Sequence, residues 1–213
     1  MRVPYITTWS SEAERPGLLI ESHALGIAYA DETLLDRDEH GILWRRMPSR
    51  PGGGRPLFGR VHSLRQRRAM RRLLCQVCAG PADRTEHGTL WLVPDFDDNW
   101  PNWPEGMAAT EPPICISCAQ ESIQLCPTLR KRHAIFRVRH SPVSGVYGVR
   151  YRPGKVFPEL IDDVIVAFDD PAIRWVCAGQ LVRELFDCIA VDPDEIAALG
   201  GTQRRPGVGS VMP

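Results

Sequence analysis

Two pairs of cysteines with the same spacing are the residues of this sequence best suited to chemistry. Cys75 and Cys78 form the first pair, and Cys115 and Cys118 form the second. An x2 spacing lets one tight turn present two thiolates to a single ion, and zinc prefers four such ligands in a tetrahedron. The pairs therefore predict one structural Zn²⁺ site. The alternative, two unrelated pairs of buried cysteines, leaves the matched spacing unexplained.

A dense run of arginines leads directly into the first cysteine pair. The stretch RQRRAMRRLLCQVC, residues 65 to 78, predicts a helix with a packed side and a basic face. The packed side comprises Ala69, Met70, Leu73 and Leu74. The basic face comprises Arg60, Arg65, Arg67, Arg68, Arg71 and Arg72. Because a guanidinium group binds phosphate with two parallel hydrogen bonds, this face predicts contact with nucleic acid.

A second set of arginines lies in two segments that alternate as β-strands do. HAIFRVRH and GVYGVRYRP flank the turn residues SPVS and predict a β-hairpin. The arginines expected on one surface of this hairpin are Arg137, Arg139, Arg150 and Arg152. Tyr147 and Tyr151 lie nearby, and arginine interleaved with aromatic rings suits phosphate contact and base stacking. Tyrosines that pack in the core or at its rim are the alternative.

The charges of the chain balance in total but are distributed unevenly. Lysine and arginine together number 26, and aspartate and glutamate together also number 26. Residues 42 to 75 and 127 to 155 contain basic side chains and no acid, whereas the segments around them are acidic. This asymmetry favours a nucleic-acid partner, and DNA over RNA. Acidic and basic segments that pair within the fold are the alternative.

The pattern of short strands and helices predicts an α+β fold in three parts and a tail. Residues 1 to 50 form an acidic segment with the strands YITTW, LLIES, GIAYA and GILWRR. Residues 57 to 130 hold the basic helix and the cysteines, and residues 131 to 197 hold the hairpin, a further strand and a C-terminal helix. Asp170 is the predicted N-cap of that helix, whose apolar side comprises Ile173, Cys177, Leu181 and Leu185. Residues 198 to 213 are rich in glycine and predicted to be disordered.

The sequence predicts neither a membrane protein nor a secreted one. No apolar run approaches the roughly 18 residues that a membrane-spanning helix needs, and the first residues lack the pattern of a signal peptide. We therefore expect a cytoplasmic protein. In that compartment cysteines bind metals or are buried thiols. Cys126, Cys177 and Cys188 are predicted to be core thiols.

The region from residue 73 to 128 resembles a treble-clef zinc domain. It has a cysteine pair on a turn, a predicted β-hairpin and a second pair at the start of a helix. Within that group it is most similar to the cysteine-bearing HNH endonuclease module, which implies a structural zinc and a catalytic histidine at the end of the central strand. Here the strand TLWLVPD reaches Asp95 without a histidine, and AQE follows Cys118 where the family offers another. No catalytic residue of the family is therefore carried over.

Three functions follow from these patterns. We favour a non-catalytic, zinc-stabilised protein that binds nucleic acid. The first alternative is a divergent HNH-like nuclease in which His87 acts as a base and Asp95 and Asp97 hold Mg²⁺. The second is an adaptor that binds a protein through its acidic N-terminal segment or through the loop WPNWPEG. The tryptophans of this region, which we otherwise expect to cover the zinc site, are Trp91, Trp100 and Trp103.

Overall fold

The computed structural model describes residues 2–13, 17–95, 102–192 and 194–196. It shows mixed α and β structure built around a seven-stranded sheet. The predictions for Asp97 and for the C-terminal tail lie outside the described residues. In those ranges, no helix is both long enough and apolar enough to cross a membrane.

The N-terminal part consists of short strands in two small sheets. Its strands are β1 (Thr7–Trp9), β2 (Leu19–Ser22), β3 (Gly26–Tyr29) and β4 (Pro56–Val61). β1 pairs antiparallel with β4, and β2 pairs antiparallel with β3. The strands predicted at YITTW, LLIES and GIAYA are thereby confirmed, whereas GILWRR forms only isolated bridges at Leu43 and Trp44.

The middle of the chain has one helix before the first cysteine pair and another at the second. Its elements are α1 (Ser63–Arg72), β5 (Arg84–Thr85), β6 (Gly88–Pro94), β7 (Met107–Ala109), α2 (Ile116–Leu125) and α3 (Pro127–Lys131). The predicted basic helix is confirmed as α1, although it begins at Ser63 and leaves Arg60 in β4. The strand predicted between the pairs is β6, and the helix predicted at the second pair is α2.

The C-terminal part contributes the remaining strands of the large sheet. They are β8 (His133–His140), β9 (Val143–Arg152), β10 (Glu159–Ala167) and β11 (Val176–Ala190). The order is β10-β9-β11-β8-β6-β5, and β7 also pairs with β11. β8 and β9 are strands, but the prediction that they form a hairpin is wrong because β11 lies between them.

The predicted C-terminal helix is also wrong, because its residues form β11. Asp170 does accept a capping hydrogen bond from the N–H of Ala172, but the helix it caps is a five-residue 3-10 helix. β11 then runs for 15 residues in the middle of the sheet, where consecutive side chains are buried on both faces. Cys177, Leu181 and Leu185 are four residues apart, and this spacing falls on one face of a strand as well as of a helix.

Helix α1 is attached to β11 by the buried side chain of Gln66. Its Nε2 donates hydrogen bonds to the carbonyls of Thr110 and Leu181, each at 2.8 Å. Its Oε1 accepts a hydrogen bond from the N–H of Leu181 at 2.9 Å. The side-chain amide thus pairs with β11 as a further strand would. This contact fixes the helix that leads into the first cysteine pair against the sheet.

Candidate metal centre

The four cysteines of the two pairs converge on one point. The Sγ atoms of Cys75, Cys78, Cys115 and Cys118 all lie within 4.8 Å of one another. Those of Cys78 and Cys115 are 3.8 Å apart. Four sulfurs bound at about 2.3 Å to a central zinc form a tetrahedron whose edges are about 3.8 Å. The prediction that the pairs lie together is confirmed, and the cluster could bind a metal ion and is compatible with zinc.

The first pair lies on a tight turn that the backbone closes on both sides. The carbonyl of Cys75 accepts a hydrogen bond from the N–H of Ala79 at 2.9 Å, and its N–H donates to the carbonyl of Gly80 at 2.7 Å. Ala79 has a φ of 60°, in the left-handed region, which reverses the chain after Cys78. The turn therefore directs both sulfurs to the same side.

The second pair is placed by the start of α2. Cys115 is the N-cap residue, and Cys118 lies in the first turn of the helix. The positive end of the helix dipole favours negative charge at this position, so it stabilises the thiolates that a metal ion requires. A helix start thus supplies both the position and part of the charge for the second half of the cluster.

Backbone hydrogen bonds hold the two halves together independently of any ion. The N–H of Gln76 donates to the carbonyl of Pro113 at 3.0 Å, and the N–H of Asp83 donates to that of Ile114 at 3.0 Å. The N–H of Ile114 donates in turn to the carbonyl of Leu90 in β6 at 3.0 Å. The segment before Cys115 is therefore tied to both the first pair and the sheet.

The thiols of the cluster differ in how readily they lose their protons. A hydrogen bond from Cys75 lowers the pKa of Cys115 below its usual range. Burial and the hydrogen bond with Cys115 raise the pKa of Cys118. One thiolate forms easily, whereas further negative charge in the same small volume is opposed. A divalent cation supplies the opposite charge that allows all four sulfurs to be thiolates.

The N-terminal segment lies against one side of the cluster and brings a cation to it. Nη1 of Arg2 lies 3.8 Å from Sγ of Cys118 and can donate a hydrogen bond to it. The N–H of Tyr5 donates to the carbonyl of Val77 at 3.0 Å, which fastens this segment to the first turn. No local feature of the sequence points to Arg2, because the residue that it contacts is more than one hundred positions away.

The other three cysteines lie apart from the cluster. Cys177 is buried, with its sulfur 3.5 Å from the hydroxyl of Tyr29. Cys126 caps the C-terminal end of α2 and is half-buried. Cys188 is also half-buried, and burial raises its pKa to about 12. Within the described ranges, the four cysteines are the only group of three or more potential metal ligands close enough to share an ion.

The arginines of α1 do not form one uniform exposed face. Arg68, Arg71 and Arg72 are exposed, as is Arg60 in β4. Arg68 donates to the hydroxyl of Tyr5 at 3.4 Å, and Arg71 lies 3.4 Å from a carboxylate oxygen of Asp38. These contacts are long, and the side chain of Arg71 keeps 40% of its surface exposed. The binding of phosphate by the exposed arginines stays a prediction.

Two further arginines of the predicted face are engaged within the fold. Arg65 is 6% exposed and donates hydrogen bonds to both carboxylate oxygens of Glu12, at 2.6 and 2.7 Å. The prediction that it lies on an exposed face is wrong, because this buried ion pair turns it inward. The Cζ atom of Arg67 lies 3.7 Å from the centre of the Trp44 ring, which leaves Arg67 half-buried.

The second basic set is dispersed over the large sheet. Arg137 is buried in an ion pair with Asp83, whereas Arg139 is exposed. Arg150 and Arg152 pair with the acidic residues opposite them on β10. Arg137 of β8 lies opposite Ile189, and Arg150 of β9 lies opposite Val176, at the two ends of β11. A length of strand on the order of 40 Å therefore separates the two arginines. The prediction that the four arginines share one surface is therefore wrong.

His87 and Asp95, the two candidate catalytic residues that the structure describes, are not assembled into a site. His87 is exposed in the turn before β6, and its Nε2 lies 3.6 Å from a carboxylate oxygen of the adjacent Glu86. Asp95 follows the far end of β6 and accepts a hydrogen bond from Nε of Arg132 at 2.8 Å. The length of β6 separates them by roughly 20 Å. Asp97 lies outside the described residues.

Trp91 and Trp103 do not cover the cysteine cluster. Trp91 is fully buried, and its Nε1 donates to the carbonyl of Glu111 at 2.9 Å. Trp103 packs edge to face on Phe136, with ring centres 5.0 Å apart. Both belong to a hydrophobic cluster separate from the one that holds Cys75 and Cys118. The interpretation as a cover for the metal site is therefore wrong for these two residues, and Trp100 lies outside the described residues.

Comparisons with protein-family models, with curated proteins and with solved structures found no match to this chain. No relative therefore supports the HNH-like interpretation, and the geometry of the chain alone bears on its function.

Proposed function

We propose that this chain is a non-catalytic nucleic-acid-binding protein whose fold is stabilised by zinc, with DNA favoured over RNA. The observation that carries the proposal is the position of α1. Arg68, Arg71 and Arg72 are exposed on this helix, which enters the first cysteine turn directly after Arg72. A metal at the cysteines would fix the end of the helix and thus the positions of its guanidinium groups.

The energetics of the exposed arginines suit phosphate binding. Arg71 lies 3.4 Å from the buried carboxylate of Asp38 and 3.9 Å from that of the exposed Glu39. Asp38 also accepts hydrogen bonds from the N–H of Ile42 and from Nε1 of Trp44, so exchanging its long contact with Arg71 for phosphate costs little. Binding to nucleic acid also releases condensed counterions, which gives these arginines a favourable and salt-dependent free energy.

The same proposal includes a finer interpretation of the cysteine region. We infer a treble-clef-like module, and within that group a degenerate HNH module that has kept its zinc site and lacks the catalytic histidines. Its support is the order of a turn with Cys75 and Cys78, the strands β5 and β6, and a helix that starts at Cys115. The distance between His87 and Asp95 along β6 supports a role other than catalysis.

Binding across a salt series tests the proposal. The zinc-loaded full chain is titrated into labelled duplex DNA and into the matching RNA, and the affinity is measured by fluorescence anisotropy at several salt concentrations. In the triple variant Arg68→Ser, Arg71→Ser, Arg72→Ser, the slope of log affinity against log salt should become shallower. The expected change is about one unit for each phosphate that the variant no longer binds.

The matched control is the double variant Arg150→Ser, Arg152→Ser. These arginines are also exposed at least in part, but each is paired with an acid on β10. The control should keep the slope of the unmodified protein. Equal effects of the two variants, or no binding at about 50 mM salt with zinc still bound, would contradict the proposal. Mg²⁺-dependent cleavage of the DNA would instead support the nuclease alternative.

A zinc-stapled adaptor that binds a protein is the second candidate, and the edge strand β10 favours it. Leu160, Ile161 and Ile165 on this strand are each at least 44% exposed. An exposed edge strand with apolar side chains is a surface on which another chain can pair. The ion pairs between the arginines of β9 and the acids of β10 also agree with basic and acidic segments that neutralise each other within the fold.

A further inference from the structure

A cavity of about 470 Å³ lies where the N-terminal strands, the start of α1 and the large sheet meet. We name it the α1 cavity, because Ser63, the first residue of α1, forms part of its wall. Thr8 of β1 and Leu57 of β4 contribute the wall on one side, and Tyr147 and Gln180 contribute it on the other. Its volume is in the range of about 300 to 1,000 Å³ that is usual for small-molecule sites.

Two buried hydroxyl groups in this wall have no hydrogen-bond partner. Thr8 is 2% exposed and Ser63 is 1% exposed. In the part of the chain that the structure describes, neither Oγ1 of Thr8 nor Oγ of Ser63 forms a hydrogen bond. Thr8 lies opposite Leu57 in the β1–β4 pair, so both side chains lie on the face that borders the cavity. Unpaired buried hydroxyls are unfavourable, and rotation of either side chain toward a ligand in the cavity would satisfy its hydroxyl.

The electrostatics of the wall favour an anion. The N-terminal end of α1 carries the positive end of the helix dipole, and its N-cap residue His62 makes no side-chain capping bond. Arg45 and Arg60 add positive charge to the wall. Glu12 is the only acid among the described lining residues, and Arg65 already binds both of its carboxylate oxygens.

At two glycines in the wall, the fold has space for a side chain that the sequence does not supply. Among the described residues, a Cβ atom at Gly59 would meet no atom within 4 Å, and one at Gly179 would meet its nearest neighbour at 3.7 Å. Neither residue has a positive φ. At Gly179 the Cβ would lie 3.8 Å from Cζ of Arg45, which is itself part of the wall. A side chain at this position would therefore fill the space beside Arg45 without a backbone clash.

We propose that the α1 cavity binds a small phosphorylated molecule up to the size of a nucleotide. The donors in this wall are the guanidinium groups of Arg45 and Arg60, the N–H of Ser63 at the start of α1 and, after rotation, the hydroxyls of Thr8 and Ser63. A phosphate monoester offers three acceptor oxygens and close to two negative charges at neutral pH, which suits this number of donors better than a carboxylate does. Apolar and aromatic side chains such as Leu57 and Tyr147 would contact the organic part. This inference goes beyond the proposed nucleic-acid binding and does not depend on it.

Calorimetric titration of the zinc-loaded full chain tests the inference. The probes are adenosine 5′-monophosphate, ribose 5-phosphate and inorganic phosphate, and the controls are adenosine and ribose. We expect the two phosphate monoesters to bind at least about tenfold more tightly than their dephosphorylated forms. Equal binding of the two forms, or no binding of any phosphorylated probe at about 10 mM, overturns the inference.

Conservative variants locate the binding. Thr8→Val keeps the shape of the side chain and Ser63→Ala keeps the helix, and each should weaken binding of the best probe by about fivefold or more. Gly179→Val should weaken it by filling the cavity. Thr128→Val, an exposed threonine in α3, is the matched control and should change nothing. Wild-type affinity in all three cavity variants overturns the assignment of the site.

The same variants separate this inference from the proposed function. None of them alters an exposed arginine of α1, so DNA binding should be unchanged when the small molecule no longer binds. A chain that binds DNA but none of the phosphorylated probes contradicts the inference alone. A chain that binds the probes but no nucleic acid contradicts the proposed function alone.

Discussion

Arg65 donates two hydrogen bonds, of 2.6 and 2.7 Å, to the carboxylate of Glu12, and both side chains are almost completely buried. The N–H of Arg50 donates to the same carboxylate at 2.7 Å, and the N–H of Trp9 does so at 2.8 Å. One carboxylate thus joins the N-terminal segment, the connector before β4 and helix α1. It lies beside the α1 cavity, so the charge balance of that cavity depends on this pair.

The stability of the protein should fall between about pH 4.5 and pH 2 because of Glu12. Burial alone would raise the pKa of Glu12, but hydrogen bonds from Arg65 and from two backbone N–H groups lower it from 4.5 to about 2. A lowered pKa stabilises the fold above the unfolded value, and this contribution is lost as the pH falls through the folded value. The contribution is about 3 kcal/mol. Chemical denaturation at several pH values should show it, and the difference between wild type and Glu12→Gln should disappear below about pH 2.

Arg65→Met and Arg68→Met should separate the structural arginine from the exposed one. Arg65→Met leaves Glu12 buried and unpaired, so the free energy of unfolding should fall by about 3 to 5 kcal/mol. Arg68→Met should change stability by no more than about 0.5 kcal/mol. Urea denaturation measures both. Equal destabilisation by the two changes would contradict the assignment of Arg65 to the fold.

Loss of a cluster cysteine should remove the metal. We expect one zinc per chain by elemental analysis, and none in Cys75→Ser or Cys118→Ser. Because metal binding contributes to folding, the melting temperature of these variants should fall by about 10 °C or more. Cys126→Ser, in a half-buried cysteine outside the cluster, should keep both the zinc and the melting temperature. Full zinc content in either cluster variant would refute the four-cysteine site.

Gln66→Leu should destabilise the contact between α1 and β11. The substitution keeps the size of the side chain similar but removes its amide. The N–H and carbonyl of Leu181 and the carbonyl of Thr110 then lose this hydrogen-bond partner. A decrease of about 3 kcal/mol in the free energy of unfolding is expected. Gln124→Leu on the exposed side of α2 is the matched control, and there the change should stay within about 0.5 kcal/mol.

Ala79→Gly should stabilise the first cysteine turn. Ala79 has a φ of 60°, a conformation that glycine adopts at lower cost. The expected gain is about 1 kcal/mol in thermal or chemical unfolding of the zinc-loaded protein. Ala82, three residues later, does not have a positive φ, so Ala82→Gly should lower stability instead. A decrease in stability in both variants would show that the strain at Ala79 is negligible.

The cysteine cluster could be predicted because the residues that define it are close together in the sequence within each pair. An x2 spacing fixes the geometry of each pair, and a helix start is recognisable after Cys115. The exposure of a single arginine is not local in this sense. Arg65 and Arg68 stand in the same run, and Arg65 is held inward by Glu12 and by the carbonyl of Thr7, both more than fifty residues earlier.

The large sheet was harder to predict, since apolar residues four positions apart, such as Cys177, Leu181 and Leu185, fit one face of a helix as well as one face of a strand. The first part of β11, from Val176 to Val182, is buried on both faces, so it lacks the alternation that would have identified a strand. Its insertion between β8 and β9 depends on pairings that no local pattern encodes. The α1 cavity was unpredictable for the same reason, because Thr8, Ser63 and Gly179 become neighbours only when the sheet is complete.

The late position of β11 along the chain sets an order of events during synthesis on the ribosome. All four cluster cysteines have been added well before Val176, so a nascent chain can capture its metal while the sheet still lacks its central strand. Until then β8 and β9 each expose an unpaired edge. Translation adds about 5 to 20 residues per second, so this exposure lasts seconds and is the interval in which chaperones would have to protect the chain.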